Sequence, residues 1–151
     1  MRYLHTMLRV RNLDDALDFY VNKLGLKETR RRVDDKNKYT LVFLAAPGDL
    51  GLVEQSKTEG RPGLEVELTY NWNTEDYGEA RYFGHLAYEV DDIYATCEKL
   101  MKAGVTINRP PRDGNMAFVR SPDNHSIEIL QKGAAKPPQE PWKSMPNTGH
   151  W

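Results

Sequence analysis

A single cysteine, Cys97, stands among 151 residues, so no disulfide can form within the chain and the thiol content suits a reducing compartment. It lies in a helical pattern, where a core role is expected. No apolar run approaches the ~20 residues a membrane-spanning helix needs, and the opening MRYLHTML lacks the basic-then-apolar layout of a secretory signal. A cytoplasmic protein with no membrane partner is expected. Excess charge is missing too: 21 Lys and Arg against 22 Asp and Glu give a formal net charge of −1, and no basic stretch is interleaved with aromatics, which argues against a nucleic-acid partner. The run Arg30, Arg31, Arg32 is followed at once by Asp34 and Asp35 and reads as a solvated turn. Hydrophobic residues make up 39% and charged residues 28%, a composition lean in core formers that gains from packing two modules or two chains together.

What the chain does have is a repeat of itself. Sliding it by 80 positions lays LHTMLRVRNLDDA (4–16) on GHLAYEVDDIYAT (84–96), with His5 on His85 and Val10 on Val90. Each copy reads as a short strand, an N-cap candidate (Asn12 in one, Asp91 or Asp92 in the other) and an amphipathic helix. One helical stripe is Leu13, Ala16, Leu17, Tyr20 and Leu24; the other is Ile93, Cys97, Leu100 and Ala103, with Gly25 and Gly104 as stops. Strand-like runs follow at 38–44 and 64–70, and again at 115–121 and 126–130. The stretch VELTYNW (66–72) alternates as a half-buried strand should, with Val66, Leu68 and Tyr70 on one face and Glu67 and Thr69 on the other. Glu67 has its counterpart in Glu128. His5 and Glu67 are 62 positions apart and His85 and Glu128 are 43 apart; most of the excess falls in PGDLGLVEQSKTEGRPG (47–63), expected as a long surface hairpin loop.

The pattern predicts an α+β chain of two βαβββ modules, 1–72 and 80–131, making one domain over 1–131. Residues 132–151 hold four of the nine prolines and no periodicity, and are expected to be a Pro-rich tail. Trp142 and Trp151 are more apolar area than a freely solvated tail keeps, so one of them is expected to dock.

A lone histidine on a strand is usually a core or surface residue, and a lone glutamate usually marks a wet face. Repetition changes both readings. Two modules that each turn one imidazole and one carboxylate inward supply two nitrogens and two oxygens, a donor set for a divalent first-row metal with positions left over for water or substrate. A closed structural zinc site would draw on cysteines that the chain lacks. His125, in the turn after Pro122, Asp123 and Asn124, and His150, in the tail, are expected to face solvent.

LHTMLRV (4–10), DFYVNKLGL (18–26), YTLVFL (39–44), VELTYNW (66–72), FGHLAYEV (83–90) and SPDNHSIEIL (121–130) together resemble the glyoxalase I family of the vicinal oxygen chelate superfamily, over residues 1–131. The resemblance implies mixed sheets forming a metal-binding cleft at a dimer interface, with His5, Glu67, His85 and Glu128 as metal ligands and Glu128 and Glu67 as catalytic carboxylates. It implies glutathione contacts from Arg9, Asn71 and Arg81, and places a further basic residue near Asn108 and Arg109. A His first ligand, where the zinc branch carries Gln, resembles the bacterial branch that uses nickel or cobalt, with zinc as the alternative. The implied substrate is the hemithioacetal of methylglyoxal and glutathione, converted through an enediolate to S-lactoylglutathione. The implied assembly is a homodimer whose sites take His5 and Glu67 from one chain and His85 and Glu128 from the other. The rival readings are an acyl-CoA epimerase-like isomerase, against which Arg9 and Asn71 speak, and a non-catalytic binding or resistance module, against which four intact ligands speak. A fourth ligand also speaks against an iron dioxygenase.

Overall fold

Alternating runs of aliphatic residues build two four-stranded sheets, one in each of two units, Met1–Ala80 and Arg81–Trp151. The computed structural model describes residues 4–58, 62–73, 76–78, 83 and 85–150. In the first unit come β1 (His5–Arg9), α1 (Leu13–Leu17) continued by a π-helical turn (Asp18–Lys23), β2 (Lys27–Asp34), β3 (Tyr39–Ala45), α2 (Leu50–Thr58) and β4 (Glu65–Asn71). In the second come β5 (Leu86–Val90), α3 (Ile93–Lys102), β6 (Ile107–Arg109), β7 (Met116–Arg120) and β8 (Ser126–Gln131). The sheet orders, β1-β4-β3-β2 and β5-β8-β7-β6, are the same pattern twice, with β1 parallel to β4, β5 parallel to β8 and the other pairs antiparallel. A parallel pair needs a crossover, and the intervening helix and hairpin supply it.

Local chemistry fixes the helix ends. Asn12 Oδ1 accepts from the amides of Asp14 and Asp15 at 2.9 and 3.2 Å, and Asp92 Oδ1 accepts from those of Tyr94 and Ala95 at 3.0 and 3.1 Å. Each cap satisfies amides that a helix leaves without partners, worth about 1 kcal/mol. Gly25 and Gly104, at φ 97° and 80°, then turn the chain into the next strand, a conformation that penalises other residues. The core of the first unit includes Val10, Tyr20, Val42, Leu44 and Leu68; that of the second includes Ile93, Cys97, Leu100, Val119, Ile127 and Ile129, with α3 laid against β6, β7 and β8.

Two expectations need correction. The arginine triplet is not a solvated turn but part of β2, which pairs with β3 from Lys27 opposite Ala45 to Asp34 opposite Tyr39. An edge strand tolerates charge because its outer side is wet, and backbone pairing sets the conformation. Arg30 in addition meets a buried carboxylate, its Nη2 lying 2.8 Å from Oε2 of Glu65, whose side chain is 0% exposed. Segment 47–63 is likewise not a plain loop. Pro47 opens a 3-10 turn that runs into α2, where Val53 is buried and the Ser56 hydroxyl donates to the Val53 carbonyl and accepts from the Gly63 amide. The expected docking of a tail tryptophan is seen at Trp142, and the Pro-rich tail is bonded to the rest of the second unit along its described length. Trp142 is 4% exposed, Tyr94 Oη donates to the Pro137 carbonyl at 2.9 Å, Lys136 pairs with Asp92, and Arg112 donates to the Met145 carbonyl at 3.0 Å. Trp151 lies outside the described residues. Among the described residues no helix is long and apolar enough to cross a membrane.

Candidate functional site

In β1 the period of two buries Leu8 beneath the sheet and leaves His5, Met7 and Arg9 on the opposite, open face. On β4, Glu67 pairs with Met7 on one side and with Phe43 of β3 on the other, which sets its carboxylate beside His5. The His5 Nε2 to Glu67 Oε2 distance is 3.1 Å. The second unit repeats this: Glu128 pairs with Ala87 and Phe118, and His85 Nε2 lies 3.2 Å from Glu128 Oε2. Each imidazole stands edge-on to a phenylalanine, His5 to Phe43 at 5.8 Å and His85 to Phe118 at 5.5 Å between centroids. In both pairs the carboxylate is the enclosed partner, 13% and 15% exposed, and the imidazole the open one, 36% and 43%. Thr69 Oγ1 donates to the other oxygen of Glu67 at 3.1 Å.

Such a pair has two chemical uses. Its nitrogen and oxygen share a hydrogen bond, or both aim lone pairs at one cation. Ligands about 2.1 Å from a metal lie about 3.0 Å apart in an octahedral shell and about 3.4 Å apart in a tetrahedral one. The observed 3.1 and 3.2 Å fall on such an edge, so the donor types and spacing of both pairs fit a divalent metal. Each unit carries one such pair; among the described residues no three of His, Cys, Asp and Glu converge on one point.

Of the other predicted residues, Arg9 is exposed on the His5 face. Asn71 closes β4 opposite Tyr39 and its amide donates to Tyr77 Oη at 3.4 Å. Arg81 lies outside the described residues. Arg109, opposite Phe118 and hence on the Glu128 side of the sheet, is committed to Asp113 at 2.8 Å and to the Met116 carbonyl. His125 is half-buried rather than solvent-facing: its Nδ1 lies 3.1 Å from Ser121 Oγ and its ring stands edge-on to Phe83, because the Pro122 to Asn124 turn, with Asn124 at φ 64°, folds it back. His150 is exposed, as expected.

One group on this face was not anticipated. Glu65 lies two residues before Glu67 and opposite His5; its Oε1 accepts from Thr29 Oγ1 at 2.5 Å and its Oε2 from Arg30, whose guanidinium sits 3.2 Å from the centre of the Phe43 ring. Glu65 thus reaches the His5 ring through Arg30 and Phe43. The period of two in VELTYNW, extended back by one residue, was the available signal.

Known proteins share this arrangement of chain. The family described as Glyoxalase/Bleomycin resistance protein/Dioxygenase superfamily matches residues 2–129. The lactoylglutathione lyase of Neisseria meningitidis serogroup A is 43% identical over 137 residues, which cover 87% of this chain and 91% of that protein. The probable lactoylglutathione lyase of Vibrio cholerae is 40% identical over 139 residues, 89% of this chain and 93% of that one. Among solved structures, the trypanothione-dependent glyoxalase I of Leishmania major aligns with a TM-score of 0.73 at 37% identity, covering 87% of this chain and 86% of that one.

Proposed function

The chain belongs to the Glyoxalase/Bleomycin resistance protein/Dioxygenase superfamily and, within it, to the lactoylglutathione lyase family, and from that premise we propose that it converts the hemithioacetal of methylglyoxal and glutathione to S-lactoylglutathione, so detoxifying methylglyoxal. The observation that carries this reading is the His–Glu pair repeated on the open face of both sheets. His5, Glu67, His85 and Glu128 would together hold one divalent metal, nickel or cobalt by the His first ligand with zinc as the alternative, and that metal supplies Lewis-acid polarisation of the substrate's two vicinal oxygens.

The rest falls to the chain's own side chains. Glu128 takes the proton from C1 of the substrate, and Glu128 or Glu67 returns one to C2, so the product forms by proton movement alone with no redox cofactor. Enclosure beside Phe118 and Phe43 suits both carboxylates to this work, since water has little access to the side the rings cover. Arg9, Asn71 and Arg81 bind the glutathione moiety; Arg9 stands on the same face as His5, where a guanidinium meets a carboxylate with the strength of a charge-assisted hydrogen bond. A homodimer in which the four residues meet across two chains would complete the set, since each unit offers one His–Glu pair, and the single cysteine suits a cytoplasmic setting.

The test is thioester formation from methylglyoxal and glutathione by apoprotein supplied separately with nickel, cobalt and zinc. Turnover with nickel or cobalt and none without metal is expected. No turnover with any of the three overturns the reading.

A further inference from the structure

The tail lies beyond residues 2–129 that match the family, yet it is bonded to the second unit as far as it is described. Trp142 explains why it docks. It does not explain where the tail ends. After Trp142 the described residues are mostly exposed and bury little apolar area, but they close on specific partners: the Thr148 amide donates to the Asn108 carbonyl at 2.8 Å, Asn108 Nδ2 donates back to the Thr148 carbonyl at 2.9 Å, and Arg120 Nε donates to the His150 carbonyl at 2.8 Å.

Arg120 is the informative one. Phe118 pairs with Glu128, and Arg120, two residues on, pairs with Ser126, so Arg120 stands on the same face of the sheet as Glu128 and about 7 Å along the strand from Phe118. Its partners among the described residues are two backbone carbonyls, His150 and, at 3.2 Å, Asn124. Carbonyls orient a guanidinium without neutralising it. On the corresponding faces Arg30 and Arg109 are each spent on a carboxylate, Glu65 and Asp113. Among the described residues the tail thus holds this cation on the Glu128 face with no carboxylate beside it, and the glutathione moiety of the proposed substrate carries two carboxylates.

We propose that Arg120, seated by the tail through His150, binds a carboxylate of the substrate's glutathione moiety and so sets thiol specificity. This rests on the lactoylglutathione lyase reading and adds to it a contact from outside Arg9, Asn71 and Arg81. The competing account is a strap that only stabilises the second unit.

Calorimetry on the metal-loaded full-length protein with S-hexylglutathione, and with that thioether esterified at either carboxylate in turn, separates the two. Arg120→Gln, which keeps a donor for the carbonyls and removes the charge, should weaken binding on the order of tenfold and raise KM alike, with kcat within about twofold. Against one of the two monoesters, wild type and Arg120→Gln should bind equally. Asn108→Ala, which removes the side-chain half of the clasp on Thr148, should shift affinity in the same direction by less. A fall in Tm with unchanged affinity, or equal loss against both esters and the free acid, overturns the proposal. A wild type that turns over the hemithioacetal while Arg120→Gln matches it in affinity overturns this inference alone; a wild type that neither binds the thioether nor turns over the hemithioacetal overturns the function and this with it.

Discussion

Glu128 tests the chemistry at the scale of one atom. Glu128→Gln keeps an oxygen that can ligate and removes the one that accepts a proton, so kcat should fall by about 10²- to 10⁴-fold while metal analysis after dialysis shows weaker but real binding. Near-wild-type rates would end its role as base. His5→Gln installs the residue of the zinc branch, and activity should move toward zinc only in part, since the other ligands and their surroundings also shape the cage; an unchanged ranking of nickel, cobalt and zinc would show that the first ligand is not the selector. These residues were legible because each occurs twice, at matching places in a repeat. Glu65 was not, because its partners Thr29 and Arg30 lie far away in sequence and a triplet of arginines beside aspartates looks like surface. Cys97 was legible from helical spacing alone, and burial pushes its thiol up to about 12. At pH 8 an alkylating reagent should therefore leave it untouched until the protein is unfolded.

At the scale of elements, the strands and helices whose faces are sorted by water were readable, and those fixed by distant partners were not. β4 and β8 alternate cleanly, and Asn12 and Asp92 announce their helices. β2 hides behind its charges and α2 behind apolar residues too scattered to show a face, while the tail's docking was signalled by its tryptophans and only its polar partners lay hidden. Asp92 joins the two groups, since it caps α3 and also pairs with Lys136 of the tail. The Lys136 hydrogen bond first, and the Ala95 amide next, hold its carboxyl below the ordinary carboxylate range. A depressed folded-state pKa contributes stability that is complete above the unfolded value of about 3.9 and is lost as pH falls through the lower folded value. The stability gap between wild type and Asp92→Asn, followed by urea unfolding, should hold steady at neutral pH and narrow in acid; a gap that widens there contradicts the assignment. Trp142→Ala should cost about 3 kcal/mol, the low end for a buried tryptophan, because only one side of the tail is covered.

For the whole molecule, duplication is the governing fact. One βαβββ plan, written twice, gives two sheets of the same strand order and two His–Glu pairs of nearly the same geometry, and in the proposed site each copy supplies half of the ligands. A chain lean in core residues gains from association, because a shared interface buries apolar surface that a small chain leaves wet. If the four ligands meet across two chains, the halves can be supplied by different molecules. Take one variant with His5 and Glu67 replaced by alanine and a second with His85 and Glu128 replaced, each inactive by itself, and unfold and refold them together. In a mixed dimer the second variant's intact first module meets the first variant's intact second module, which gives one complete site and one that is doubly broken. Activity should reappear in the mixture, approaching a quarter of wild type per chain when association is random, since half the dimers are mixed and each carries one site of two. Differently tagged chains show whether mixed dimers have formed. Mixed dimers without activity would place His5, Glu67, His85 and Glu128 of a single chain in one site, and the cross-chain assembly would be wrong.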